Sequence, residues 1–257
     1  MAKLKITSWN VNGLRAIKKK GLFEWFERDG SDILCLQETK IQEDQLTADL
    51  IIHRDYHSYF SHAERKGYSG VAVYTREKPL AVRHGMGIKK FDCEGRTLVL
   101  DYGDFTLLNI YFPNGKASEE RLQYKLNFYD AFLKFAQKLR REGKKLVICG
   151  DFNTAHKPID LAHPKRNEMI SGFLPVERAW MDKFTNAGYL DTFRLFNDKP
   201  ENYTWWHMVT QARARNVGWR IDYFFASEEL EKNLAHAAIE PSIMGSDHCP
   251  VNLVIRT

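Results

Sequence analysis

The chain has 257 residues, 44% of them hydrophobic and 28% charged, and a formal net charge of +5. This composition excludes a disordered or fibrous chain, and the length is enough to bury a sizeable core without disulfide staples. No stretch approaches the roughly 18 uncharged apolar residues of a membrane span, and the N-terminus enters a strand pattern with no apolar leader, so neither a membrane nor a secretion signal is expected.

In chain order, short apolar, β-rich runs predict a strand at 4–9, a short helix at 22–28, and strands at 33–36, 70–74, 98–101 and 105–112. A long helix is expected over 119–141, where Leu122, Leu126, Tyr129, Leu133 and Ala136 recur at alternating spacings of four and three. Ser118 suits its N-cap, Glu119 and Glu120 its first turn, and Gly143 its stop. A strand at 146–149 precedes a long polar loop, 155–174, that carries Pro158 and Pro164. A second long helix opens at Pro175, carries Val176, Trp180 and Phe184, and closes at Gly188. Strands at 221–226 and 251–255 complete the chain. Strands mixed with helices along the whole length indicate a layered α/β or α+β fold. The segment Ile6-Thr7-Ser8-Trp9-Asn10-Val11-Asn12 echoes Val147-Ile148-Cys149-Gly150-Asp151-Phe152-Asn153. Two similar sheets meeting face to face would bring both ends to one rim.

Of the cysteines, Cys35, Cys149 and Cys249 sit in apolar runs, and neither they nor Cys93 form a Cys-x-x-Cys pair. Buried, reduced thiols in a cytosol-like compartment are expected, with no zinc cluster. The positive balance is compatible with a polyanionic partner.

Strand after strand ends in groups able to bind a metal or a phosphate: Asn10 and Asn12, Gln37-Glu38-Thr39-Lys40, Tyr111-Phe112-Pro113-Asn114, Asp151 and Asn153, Asp222, and Ser246-Asp247-His248. Active sites of layered α/β proteins gather at such ends. Each piece alone also reads as an ordinary turn, cap or helix start. A carboxylate at Asp222, inside an apolar run, needs a partner, and a nearby histidine would serve. Ser-Asp-His reads as a loop cap or as a hydrolytic pairing. Their co-occurrence in one chain favours a site.

Six stretches carry a resemblance: Ser8-Trp9-Asn10-Val11-Asn12-Gly13-Leu14-Arg15-Ala16, Leu36-Gln37-Glu38-Thr39-Lys40, Gly67-Tyr68-Ser69-Gly70-Val71, Gly150-Asp151-Phe152-Asn153, Asn216-Val217-Gly218-Trp219-Arg220-Ile221-Asp222-Tyr223 and Gly245-Ser246-Asp247-His248-Cys249-Pro250. Together, and in this order, they resemble the exonuclease III family of abasic-site DNA endonucleases. The resemblance implies a four-layered α/β sandwich in which two mixed β-sheets pack face to face, flanked by helices, as one domain over 1–257. It implies a magnesium-dependent phosphodiesterase of base-excision repair, with Mn2+ as a substitute for Mg2+, acting on double-stranded DNA that contains abasic sites. By the same resemblance Glu38 holds the metal with Asp247 and Asn10 close by. Asp151 orients or deprotonates the attacking water, and Asn153 and Tyr111 contact the scissile phosphate. His248 binds or protonates a phosphate oxygen, and Asp222 holds its imidazole. The residue types suit that chemistry. Charge building on phosphoryl oxygens calls for a cation and aimed donors, and magnesium needs only one or two carboxylates.

For the DNA-binding surface the expected residues are Asn12, Arg15, Lys20, Gly67, Tyr68, Asn114, Lys116 and Arg213, although any single basic residue is more often a solvated one. Trp205, Trp219 and Ile221 are expected to line a slot for a flipped sugar that lacks its base. Val209, with Met208, is expected to wedge into the duplex. Some relatives place an arginine near Lys116, where this chain has only a lysine. Other readings are a deoxyribonuclease I-like nuclease or another phosphoesterase of the same fold, and a non-catalytic DNA-binding protein. A monomer in a prokaryotic cytoplasm is the expected setting.

Overall fold

The computed structural model describes residues 3–257. In chain order the strands are β1 (Lys3–Asn10), β2 (Ile33–Gln37), β3 (His57–Ser61), β4 (Val71–Thr75), β5 (Ala81–His84), β6 (Thr97–Asp101) and β7 (Thr106–Tyr111). They continue with β8 (Leu146–Asp151), β9 (Tyr189–Asp191), β10 (Trp205–Trp206), β11 (Gly218–Trp219), β12 (Asp222–Ser227), β13 (Leu234–Ile239) and β14 (Val251–Arg256). Two six-stranded sheets form, ordered β13-β14-β1-β2-β4-β3 and β5-β6-β7-β8-β12-β9, with β10 and β11 as a separate ribbon.

The sheets are laid out alike. In the first, β1 lies between parallel β2 and antiparallel β14. In the second, β8 lies between parallel β7 and antiparallel β12. Apolar side chains from both inner faces, among them Ile6, Val73, Leu107, Val147, Phe224 and Leu253, form one core between them. The outer face of the second sheet is covered by the helices Glu119–Arg141 and Pro175–Asn186 through an aromatic core that includes Phe112, Phe128, Phe132 and Phe184. The outer face of the first is covered by Leu14–Lys18 and Leu22–Asp29 through Leu14, Ile17, Leu22 and Phe26. The result is the expected four-layered sandwich of mixed sheets.

The predicted strands and the three predicted helices are present. Ser118 caps the long helix, its hydroxyl accepting from the Arg121 N–H at 3.2 Å. The buried face of that helix is rotated from the expected stripe. Leu122 and Leu126 are only half-buried, and Lys125, Phe128, Phe132 and Phe135 point inward instead. Aromatic rings on the sheet face draw those phenylalanines in. Val176 is 48% exposed and lies off the packed face of its helix. The 155–174 segment holds two helical turns, Pro158–Asp160 and Pro164–Asn167, each opened by a proline. Strands β3, β5, β9 and β13 were not expected from the sequence. Cys35, Cys149 and Cys249 are buried free thiols, and Cys93 is a half-buried one. Among the described residues no helix is long and apolar enough to cross a membrane.

The echo between the two segments is a shared local structure. After β1, the Asn12 N–H donates to Asn10 Oδ1 at 3.0 Å; after β8, the Asn153 N–H donates to Asp151 Oδ1 at 2.7 Å. Both asparagines adopt positive φ, 48° and 52°, a region that asparagine tolerates better than most residues. Each sheet thus ends its central strand in the same side-chain-capped turn, and the two turns meet at one rim.

Candidate active site

Five strand ends and one loop contribute to a cup at that rim. Asn10 ends β1, Glu38 follows β2, Tyr111 ends β7, Asp151 ends β8 and Asp222 opens β12. Asp247 and His248 come from the loop before β14. That loop is tied down on several sides: Ser246 Oγ donates to Asn10 O at 2.8 Å, Trp9 Nε1 donates to His248 O at 3.1 Å, and the Trp206 N–H donates to Asp247 O at 3.0 Å.

Ligand-capable atoms of Glu38, Asp151 and His248 lie within 4.8 Å of one another. Asn10 Nδ2 donates to Glu38 Oε1 and to Asp151 Oδ2, each at 2.9 Å. Lys40 Nζ sits 2.9 Å from Glu38 Oε2. His248 Nδ1 lies 2.8 Å from Asp222 Oδ2, and its Nε2 lies 4.0 Å from Asp151 Oδ2. Asp151 and His248 are only 1% and 4% exposed, so these charges act on one another with little screening. Burial would lower the His248 pKa, but the Asp222 carboxylate outweighs it and, with Asp151 and Asp247, raises the imidazole to about 10. Burial and the Asp222 charge push Asp151 up to about 7, with Glu38 adding to the rise and His248 opposing it. Burial would also raise Glu38, but Lys40, Asn10 and His248 hold it below its ordinary value. The cup therefore contains an ionised carboxylate, a carboxylate poised near neutrality and an imidazolium.

Tyr111 stands beside this group. Burial and the Glu38 charge raise its pKa well above the ordinary value, so it stays a hydroxyl donor. The Arg96 guanidinium stacks 4.6 Å from its ring and donates to its carbonyl at 3.0 Å. Asn153 donates through Nδ2 to Phe112 O at 2.9 Å and to Asp151 Oδ2 at 3.2 Å. Asp247 lines the same cleft and accepts from Asn12 Nδ2 and Trp205 Nε1, each at 3.0 Å.

The donor set suits a divalent cation. Glu38 and Asp151 offer hard oxygen atoms, and burial with the Asp222 and Glu38 charges disfavours the ionised form of Asp151. A bound cation would relieve that. Asn10 is placed as the donor that aims both carboxylates, because its Oδ1 accepts from the Asn12 N–H.

The cup opens into a cleft of about 200 Å³ whose far wall is Gly172, Trp205, Trp219 and Ile221. The two indoles meet edge to face, with centroids 6.4 Å apart at 84°. Lys116 Nζ lies 5.1 Å and 5.4 Å from their ring centroids, within cation–π range.

The comparisons with known proteins agree with this geometry. Residues 7–248 match the profile of the Endonuclease/Exonuclease/phosphatase family. The chain belongs to that family. It is 42% identical to an exodeoxyribonuclease of Bacillus subtilis over 98% of this chain and 100% of that protein. It is 40% identical to a DNA-(apurinic or apyrimidinic site) endonuclease of Dictyostelium discoideum over 98% of this chain and 70% of that one. Among solved structures, an AP endonuclease from Archaeoglobus fulgidus superposes with a TM-score of 0.90 at 29% identity, covering 99% of this chain and 100% of that one. A 3′ phosphatase from Neisseria bound to a product DNA hairpin superposes with a TM-score of 0.91 at 27% identity, covering 99% and 100%. The enzyme is a phosphodiester hydrolase of this DNA-repair nuclease type.

Around the cup, the other expected residues are placed as follows. Arg15 lines a basic hollow of about 650 Å³ with Lys18, Lys19 and Lys40. Lys20 Nζ donates to Gly245 O at 2.6 Å, and Asn114 Nδ2 donates to Asn153 Oδ1 at 3.0 Å. Gly67 takes a positive φ of 69° in the turn that presents Tyr68. The Tyr68 hydroxyl accepts from Arg96 Nη2 at 2.8 Å and from Arg121 Nη2 at 3.0 Å. Val209 is 87% exposed at the tip of the segment after β10, next to exposed Met208. Arg213 braces the catalytic loop, donating to the carbonyls of Ser246, Pro241 and Ile243 at 3.2, 2.8 and 2.6 Å.

Several residues escaped the sequence reading. Arg220 belongs to the Asn216–Tyr223 stretch. It is buried and grips Asp191 with both Nη atoms, at 3.0 and 2.6 Å, and Asp160 through Nε at 2.8 Å. Arg96 was not singled out, and neither was the Lys125–Glu177 pair. For Lys125 a signal existed: a lysine within the inward-facing positions of an amphipathic helix needs a buried partner.

Proposed function

We propose that this enzyme incises duplex DNA 5′ to an abasic site, leaving a 3′-hydroxyl, with Mg2+ as its metal and Mn2+ as a working substitute. It acts as a monomer, as one catalytic domain over 1–257, in a cytoplasmic compartment. The reduced, buried thiols support that compartment. The relatives named as AP endonucleases support the substrate. A 3′-exonuclease or 3′-end-cleaning activity fits the same cup, and the resemblance to the Neisseria 3′ phosphatase supports it.

One observation carries the reading: the hydrolytic cup opens into a small cleft whose far wall, Gly172, Trp205, Trp219 and Ile221, is apolar. The Trp205 indole N–H is already engaged by Asp247, so this ring meets a sugar as an apolar surface. Extrusion costs least where pairing and stacking are already lost, which selects an abasic nucleotide.

The chemistry follows from charge states. Asp222 keeps His248 protonated, so Nε2 donates to a phosphoryl oxygen and stabilises the charge that builds there. Tyr111 donates its hydroxyl to the same phosphoryl group. Asp151, which Asn153 orients through Nδ2 at 3.2 Å, accepts a proton from the attacking water. A divalent ion held by Glu38 and Asp151, when bound, supplies Lewis-acid neutralisation of the phosphate. The test is product analysis on an end-labelled duplex with one abasic site. A new 3′-hydroxyl immediately 5′ to the lesion is expected. A 3′-phosphate, or cleavage only on the 3′ side, overturns the reading.

A further inference from the structure

The helix Glu119–Arg141 buries one cation, and the helix Pro175–Asn186 buries one anion. Lys125 Nζ lies 2.6 Å from Glu177 Oε1, and both side chains are 0% exposed. Replacing such a pair by apolar residues is often neutral or stabilising, so its presence does not by itself explain stability. The partners of the pair are informative. The Lys125 ammonium donates to three acceptors: Glu177, Asn153 O at 2.7 Å and Thr154 Oγ1 at 2.9 Å. Glu177 also accepts from Ser171 Oγ at 3.0 Å, the Gly172 N–H at 2.6 Å and the Leu174 N–H at 3.0 Å. Ordinary helix capping accounts for the Leu174 contact alone.

All the other contacts reach segments that line the cleft. Asn153 orients Asp151, and Ser171 and Gly172 face the sugar slot. The fit there is close. A Cβ on Gly172, whose φ is +101°, would meet both Asn153 O and the Trp219 ring at 3.2 Å. The Ala155 N–H donates to Gly172 O at 2.8 Å, which joins the two segments. Lys125 thus pins the catalytic turn from behind, while Glu177 presses the 171–174 turn against Trp219.

We propose that the buried Lys125–Glu177 pair is a positioning device that sets the width of the sugar slot relative to Asp151, and with it the discrimination between abasic and intact nucleotides. The inference rests on the abasic-site reading above. Both side chains are fully buried and lie outside the lining of the cleft. They act through Asn153 and Gly172.

The experiment uses the full chain. Glu177→Asp keeps the charge but withdraws the carboxylate by one methylene. Wild type and variant, each checked for its folded circular dichroism spectrum, are assayed on matched duplexes with and without an abasic site. The expected result for Glu177→Asp is a fall in kcat of about tenfold or more, a change in KM within about threefold, and an abasic-to-intact rate ratio lower by about tenfold, since small displacements from productive geometry are costly. A folded Glu177→Asp with kcat and ratio within twofold of wild type overturns the proposal. If that variant does not fold, Ser171→Ala removes only the hydroxyl contact. A two- to threefold fall in the ratio is then expected, and an unchanged ratio overturns the proposal. A wild-type ratio near one overturns the abasic-site reading instead, which separates the two failures.

Discussion

Asn10 and Asp151 occupy matching positions at the central strand ends of the two sheets, and the Asn10 amide bridges them, donating at 2.9 Å to Asp151 Oδ2. The same amide nitrogen donates at 2.9 Å to Glu38 Oε1. One side chain from the first sheet therefore fixes both carboxylates that suit a cation. Asn10→Ala leaves two half-buried or buried acceptors short of a donor, at a cost of roughly 1–3 kcal/mol each. Turnover is expected to fall by about 10–100-fold and the cation concentration for half-maximal rate to rise. Metal titration of the rate, with urea unfolding alongside, checks both. An unchanged metal dependence counts against the role.

The Asp222–His248 contact makes a pH prediction. His248 has an ordinary pKa of 6.5 and reaches about 10 in the fold. The contact therefore contributes its full stability below pH 6.5 and loses it as pH rises through about 10. Asp222→Asn removes the largest favourable cause of the rise. Its stability deficit against wild type is expected to be large near pH 6 and to close near pH 10. The alkaline limb of kcat/KM, which reports the loss of the imidazolium, moves down towards neutrality in the same variant. Stability curves and pH–rate profiles measure the two effects. An alkaline limb in the same place for both proteins contradicts the assignment.

Much of the fold is legible in the sequence, and the four unexpected sheet strands have a common reason. Strands β3, β5, β9 and β13 are the four sheet edges. A central strand is packed on both faces and reads as a continuous apolar run, as in Val71–Thr75 or Leu146–Asp151. An edge strand is half-solvated, and His57-Ser58-Tyr59-Phe60-Ser61 or Ala81-Val82-Arg83-His84 carries no such signal. The site was legible for the opposite reason. Its residues flank internal strands, so the apolar runs point to them. Asp222 was expected to need a histidine, and His248 Nδ1 lies 2.8 Å from it. The supporting charges were not legible. Arg220 with Asp160, and Lys125 with Glu177, pair across 60 and 52 positions. No local pattern encodes such a distant pairing.

Trp219 is the test of the slot. Its ring packs edge-on against Trp205, and it closes on Gly172. Trp219→Ala removes a wall that fits a bare sugar. The abasic-to-intact ratio of kcat/KM is expected to fall by about tenfold or more, because discrimination by an apolar pocket is worth about 1–3 kcal/mol. Competition between the two duplexes in one reaction measures the ratio directly. A ratio equal to wild type removes Trp219 from the selection.

Lys116 lies at the cleft mouth, over both indoles. If it neutralises one backbone phosphate, Lys116→Gln reduces the slope of log affinity against log salt by about 0.9. Fluorescence anisotropy with an abasic duplex across a salt series gives the slope. An identical slope means that Lys116 touches no phosphate.

The central claim is that Glu38, Asp151 and His248 form one cation-assisted cup for a DNA phosphodiester. Its most direct test is incision of an abasic duplex by wild type, Asp151→Asn and His248→Ala, each with EDTA and with Mg2+ restored. The account predicts no incision in EDTA, full recovery with Mg2+ for wild type, and losses of roughly a thousandfold or more in both folded variants. Undiminished cutting in EDTA, or near-normal turnover by either variant, contradicts it.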